Sequence, residues 1–169
     1  ITNVTGGDAI LVNSGVSGGG FQDVMIQTVT GGNGVNLQQV TGTFNFNNVT
    51  IADIEQNALN VVGGNANIQF SGGSAIDNTT NSHPSHGFAV NIEDTTGGNI
   101  NLQSLTIADT GGQGIRVIGT APGDSRANVS FGAVTLTDTV VDPGTGAVYI
   151  LNHIGSVSFT GALAINGID

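Results

Sequence analysis

The chain has 169 residues, of which 28 are Gly, none is Cys or Trp, and only 8% are charged, against about 25% in an average soluble domain. Its formal net charge is -10 and its only cationic side chains are Arg116 and Arg126, too few to displace counterions from a nucleic-acid backbone. There is no thiol for a disulfide or a zinc site and no 18-residue apolar run to span a membrane, while a mean hydropathy of +0.17 is too high for a polar disordered tail.

In chain order, the sequence is a succession of short alternating apolar runs cut by Gly, Asn and Asp. They fall at 9–12, 24–26, 35–37, 44–46, 49–51, 59–61, 68–70, 88–90, 100–102, 105–107, 115–117, 129–131, 134–136, 148–150, 157–159 and 163–165. Strict alternation over three to five residues predicts a strand with one buried face. The Gly-Gly, Gly-Asn and Asp punctuation supplies residues that tolerate sharp corners. The stretch 52–62 has the best helical spacing, but it aligns with strand-turn-strand segments elsewhere and is predicted as β.

The runs repeat. Residues 1–10 (Ile-Thr-Asn-Val-Thr-Gly-Gly-Asp-Ala-Ile) align without a gap on 26–35 (Ile-Gln-Thr-Val-Thr-Gly-Gly-Asn-Gly-Val). The residues Ile1, Ile26, Ile51, Ile76, Ile107, Leu136 and Ile165 recur at spacings of 25, 25, 25, 31, 29 and 29. Three kinds of run occur per period. Stacking equivalent runs at about 4.8 Å gives an all-β parallel β-helix, about six rungs of 25–31 residues with three short strands per rung. Inward columns are then Phe46, Phe70, Leu102, Phe131 and Phe159, and the isoleucine series above. The column Asn45, Gln69, Asn101, Ser130 and Ser158 points out. Hexapeptide helices and calcium-binding rolls need about 18 residues per turn, and no repeated leucine-rich word is present.

The rung pattern Gly-x-h-x-h, turn, h-x-h, bend, h-x-h-x-Asp (h apolar) resembles the right-handed parallel β-helix of the pectate-lyase-like superfamily. It is similar also to the β-helical repeats of bacterial surface and adhesin proteins. The resemblance covers the whole chain, and its motifs imply architecture, a right-handed solenoid, rather than activity. In the lyases, acidic clusters hold calcium and an Arg or Lys takes the proton. Here Arg116 faces outward on a strand, but Asp53, Asp109, Asp138 and the pair Glu93 and Asp94 are read as corner residues, not as a group on that face. Ser85-His86-Gly87 is close to a polygalacturonase word but has no Asp-Asp pair beside it.

Insertions at 78–87 (with His83 and His86), 119–128 (with Asp124 and Arg126) and 140–146 mark where a binding face would form. The position two after each anchor reads Asn3, Thr28, Asp53, Asn78, Asp109, Asp138 and Gly167, a turn column of residues that bond their own backbone. Asp109 and Asp138 would stack on adjacent rungs and are the calcium candidates. Thr50, Thr106 and Thr135 form a flat outward column, suited to ice or to a neighbouring chain.

Residues 1–169 are thus read as one β-helix segment, part of a longer array or a unit that joins head to tail. The last residues followed by the first read as one more strand and turn. The expected role is a structural repeat region of a secreted or cell-surface fibre, stalk or adhesin that self-associates. No catalytic residue is expected, no cofactor besides calcium, and no nucleic-acid partner or membrane span. The alternative is a carbohydrate-binding or carbohydrate-cleaving β-helix, its glycan near the His83/His86 and Asp124/Arg126 loops. Ice binding is a remote third.

Overall fold

The computed structural model describes residues 1–15, 18–77, 87–103, 105–108, 114–139 and 146–168. Among these there are nineteen strands and no helix; none is therefore long and apolar enough to cross a membrane as a helix. The strands form three parallel sheets. Wall A holds β1 (Thr2–Thr5), β4 (Met25–Thr30), β7 (Thr50–Ile54), β10 (Ala75–Asp77), β13 (Leu105–Ala108), β16 (Val134–Thr139) and β19 (Leu163–Ile168). Wall B holds β2 (Ile10–Asn13), β5 (Val35–Gln38), β8 (Leu59–Val62), β11 (Val90–Glu93), β14 (Ile115–Ile118) and β17 (Val148–Leu151). Wall C holds β3 (Gly19–Gln22), β6 (Thr43–Asn47), β9 (Asn67–Ser71), β12 (Asn99–Leu102), β15 (Asn128–Phe131) and β18 (Val157–Phe159). Each strand pairs in parallel with the strand three places on, so the chain is a β-solenoid of about five turns.

The expected columns are present. Ile26, Ile51, Ile76, Ile107, Leu136 and Ile165 are partners in successive pairs of wall A. Phe21, Phe46, Phe70, Leu102, Phe131 and Phe159 are partners in wall C. In-register parallel pairing sets like residues one strand spacing apart, which is also the distance at which aromatic rings stack. Phe21, Phe46 and Phe70 accordingly stack at centroid distances of 5.1 and 4.5 Å, and Phe131 stacks on Phe159 at 4.9 Å. Leu102 separates the two stacks. The residues 52–62 are strand, turn and strand, as the alignment predicts.

Two points differ from the sequence reading. Strands β1, β3 and β10 lie outside the runs identified from alternation; β3 begins with two Gly, and a strand with so few side chains gives no periodic signal. The run at 88–90 is placed two residues too early. In the structure Val90 pairs with Leu59 and Ile92 with Val61, so Phe88 precedes the strand. A slip of two keeps the in/out alternation intact and is invisible to a period-2 argument.

The corners depend on left-handed backbone. Asn3, Thr28, Asp53 and Gly167, the turn column, have φ of 56°, 58°, 53° and 59°. The residue after five of the six wall-B strands repeats this, at Ser14, Gln39, Gly63, Asp94 and Asn152. Asn and Asp visit this region at little cost, but a β-branched Thr does not. Elsewhere a corner needs Gly for space: a Cβ at Gly98 would run into the carbonyl oxygen of Ala66 on the turn before. Thr28→Asn at this exposed site is expected to stabilise by about 1 kcal/mol, and Gly98→Ala to destabilise by about 2 kcal/mol or more. Urea unfolding of both variants checks the pair, and equal midpoints would refute the corner argument.

Candidate functional site

Wall B carries an unusual outer face. Along β5, Val35 and Leu37 point in and Asn36 points out; register then sets Leu11, Asn36, Asn60, Asn91, Arg116 and Tyr149 in one outer column. The three Asn are only 4%, 7% and 3% exposed. A buried amide must be paired or costs about 1–3 kcal/mol, and these pair with each other. Asn36 Nδ2 donates to Asp8 Oδ2 (2.7 Å), Asn60 Nδ2 to Asn36 Oδ1 (2.9 Å), and Asn91 Nδ2 to Asn60 Oδ1 (2.8 Å). Arg116 Nη1 donates to Asn91 Oδ1 (3.0 Å). A carboxylate only accepts and a guanidinium only donates. The two ends therefore impose one orientation on every amide between them.

A second line runs beside the first. Asn33 gives both its backbone amide and Nδ2 to Asp8 Oδ1 (2.7 and 2.8 Å). Asn33 Oδ1 accepts from the amide of Asn57 (3.1 Å), and Asn57 Oδ1 from the amide of Phe88 (3.0 Å). Asn57 Nδ2 crosses to Asn60 Oδ1 (3.2 Å), which ties the two lines together.

At the Arg116 end the ladder opens into a cleft of about 230 Å³, bordered by Gln56, Asn57, Asn60, Phe88, Asn91, Glu93 and Arg116. Arg116 Nη1 lies 3.2 Å from Glu93 Oε2, and its guanidinium carbon lies 5.0 Å from the centre of the Phe88 ring. The half-buried ion pair is worth about 1 kcal/mol or less by itself. The cation–π contact and the ladder bond hold the guanidinium in place from two more sides. This corrects the placing of Glu93 at a corner. Because β11 starts at Val90, Glu93 is its last residue and shares the outer face with Arg116.

The loop 119–128 closes on itself. Asp94 accepts from the Thr120 amide (2.7 Å) and Thr120 Oγ1 (2.9 Å). Asp124 Oδ2 accepts from the Ala121 amide (2.9 Å), and Arg126 Nε donates to the Gly123 carbonyl (2.9 Å). Asp124 and Arg126 thus both bond to the backbone of their own loop. Beneath it Thr95 Oγ1, Ser125 Oγ and His153 Nδ1 form a chain with links of 3.2 and 2.9 Å. Ser125 is fully buried, so this Ser–His contact is a packing link and not an exposed nucleophile. His153 Nε2 is buried without a partner of bonding geometry. Burial lowers the His153 pKa below its ordinary 6.5, and backbone groups of Ser156 and Ala127 beside the ring oppose that in part.

Of the residues singled out from the sequence, Asp109, His83 and His86 lie outside the described residues, and so does the contact proposed between Asp109 and Asp138; the backbone of Asp138 lies in β16. Among the described residues no group of three or more His, Asp or Glu could hold a metal ion. In the wall-A column Thr50 pairs with Met25 and Ala75, and Thr135 with Thr106 and Ala164, so Met25, Ala75 and Ala164 interrupt the threonines. The amide ladder and His153 are absent from the sequence reading, which names Glu93 only as a corner residue and Phe88 only as part of a strand. The first two ladder rungs were visible in Val35-Asn36-Leu37 and Leu59-Asn60-Val61; the two-residue slip hid the third. No protein-family model, no curated protein and no solved structure matches the chain.

Asn60→Ala leaves Asn36 Oδ1 and Asn91 Nδ2 without their partner and is expected to cost about 2–3 kcal/mol. Asn45→Ala, on the exposed face of wall C, should cost under about 0.5 kcal/mol. Chemical denaturation of the two variants decides whether the ladder carries load. A second expectation concerns pH. With the folded pKa of His153 below 6.5, the unfolded chain binds the proton first. Its contribution is complete above 6.5 and is lost as pH falls from there through the folded value. Melting curves from about pH 7.5 to about pH 5.5 should show a smaller loss in His153→Asn than in the parent.

Proposed function

We propose that the chain is a structural module: a stiff rod in a secreted or cell-surface fibre, stalk or adhesin, which joins end to end with further turns or further copies. The observation that carries this reading is the register of the walls: Ile26, Ile51, Ile76, Ile107 and Leu136 stack turn on turn as one buried column, an interior that a further turn or copy would continue. Phe159 of one copy set against Phe21 of another would extend the ring stacks that both residues already make with their own neighbours.

The outer walls fit the same role. They carry amides and hydroxyls with few charges, and such faces repel a neighbour weakly. The low count of Arg and the lack of Lys leave trypsin-like proteases two sites, which suits an exposed rod. In this reading the winding is right-handed, the hand nearly all parallel crossovers within one sheet adopt, and no residue has a catalytic part.

Electron microscopy and light scattering over a concentration series test the reading. The expected result is end-to-end oligomers with an axial step of about 30 Å per chain, from six or seven strands per wall at a spacing of about 4.8 Å, and their loss in Ile165→Lys. A parent protein that stays monomeric at every concentration, with Ile165→Lys identical to it, would overturn end-to-end joining.

A further inference from the structure

We infer that the wall-B cleft is a binding site for a neutral saccharide, which it grips through a vicinal diol with Glu93 and Arg116. Among the described residues the bonds of Glu93, to Asn91 and Arg116, both end on Oε2, which leaves Oε1 to accept from a ligand. Among the described residues Arg116 reaches its partners through Nη1, which leaves Nε and Nη2 to donate. An acceptor and a donor set side by side match two adjacent hydroxyls, one donating to the carboxylate and the next accepting from the guanidinium.

The class of ligand follows from charge and shape. The cleft holds one positive and one negative side chain, so it is neutral as a unit. The chain around it carries a net charge of -10, which opposes an acidic glycan. The remaining border is mostly amide, from Gln56, Asn57, Asn60 and Asn91, with Phe88 and Val62 as its apolar part. Planar amides bond hydroxyls, and the face of an aromatic ring packs on the C–H groups of a sugar. A volume of about 230 Å³ is below that of pockets for drug-sized ligands and suits one or two sugar rings.

The site is also built in advance. Arg116 is held by Asn91, Glu93 and Phe88, and Asn91 by a line of amides that ends at Asp8 three turns away. Side chains already fixed lose little freedom when a ligand arrives. This site is distinct from the ends of the solenoid, and its failure would leave the end-to-end reading standing.

Nuclear magnetic resonance of the whole chain provides the test. The probes are neutral hexasaccharides of glucose, mannose, galactose and xylose, their per-O-methylated forms, and an oligogalacturonate of equal length. At least one neutral probe should shift the side-chain amide signals of Asn57 and Asn91 saturably, with a Kd on the order of 1 mM. The methylated form should not. Glu93→Ala should weaken binding tenfold or more while circular dichroism stays unchanged. If that variant does not fold, the comparison of free and methylated probes on the parent decides. The inference fails if no neutral probe shifts these signals, if methylation makes no difference, or if the oligogalacturonate binds more tightly than every neutral probe.

Discussion

Everything in this molecule depends on in-register parallel stacking, which sets each side chain of a wall about 4.8 Å above its equivalent on the turn before. Apolar on apolar gives the isoleucine and phenylalanine columns. Amide on amide gives the ladders. Charge on like charge would give repulsion at a distance where it is not screened, and no register pair of the described strands sets two like charges together. The low charged fraction is thus a consequence of the fold. Where carboxylates occur, each of several is matched across a turn by an amide, a hydroxyl or a guanidinium. Asp8 meets Asn33 and Asn36, Asp23 meets Asn48, Glu93 meets Arg116, and Asp94 meets Thr120.

The same constraint gives the buried amides a direction. An Asn column by itself has no preferred sense, since each amide can donate up or down the axis. Asp8 at one end and Arg116 at the other remove that freedom, and the bonds at both ends are charge-assisted and stronger than neutral ones. The cleft lies where the Asn repeat gives way to Arg. At Arg116 a long cation replaces the next amide, needs Glu93 and Phe88 to settle it, and so leaves a recess with polar and aromatic borders. Chemistry is concentrated where the repeat breaks, and regular turns around it supply rigidity.

The corner strain is the counterpart of this regularity. Turning a sheet three times per coil in so few residues requires left-handed backbone, and Asn3, Asp53 and Asp94 take it with little penalty while Thr28 does not. Such a residue is tolerated because ladder bonds on both sides over-determine its position. Gln27 and Thr2 are register partners beside it, and so are Val29 and Val4.

Much of the fold was legible in the linear order. Ile26, Ile51, Ile76, Ile107, Leu136 and Ile165 could be matched because alternation and a long period are local properties of the chain, and hydrophobic burial then leaves one way to stack them. The turn column Asn3, Thr28 and Asp53 was visible for the same reason, since backbone preference belongs to the residue itself. The site was not visible. Its partners Asn60, Asn91, Glu93 and Arg116 lie 23 to 31 positions apart where they bond from turn to turn, so what meets what hangs on register to a single residue. The insertion before β11 shifts that register by two positions, and alternation is blind to an even shift. Composition and period determined the columns; only the folded turns decided which polar groups touch, because a hydrogen bond requires a partner within about 3 Å.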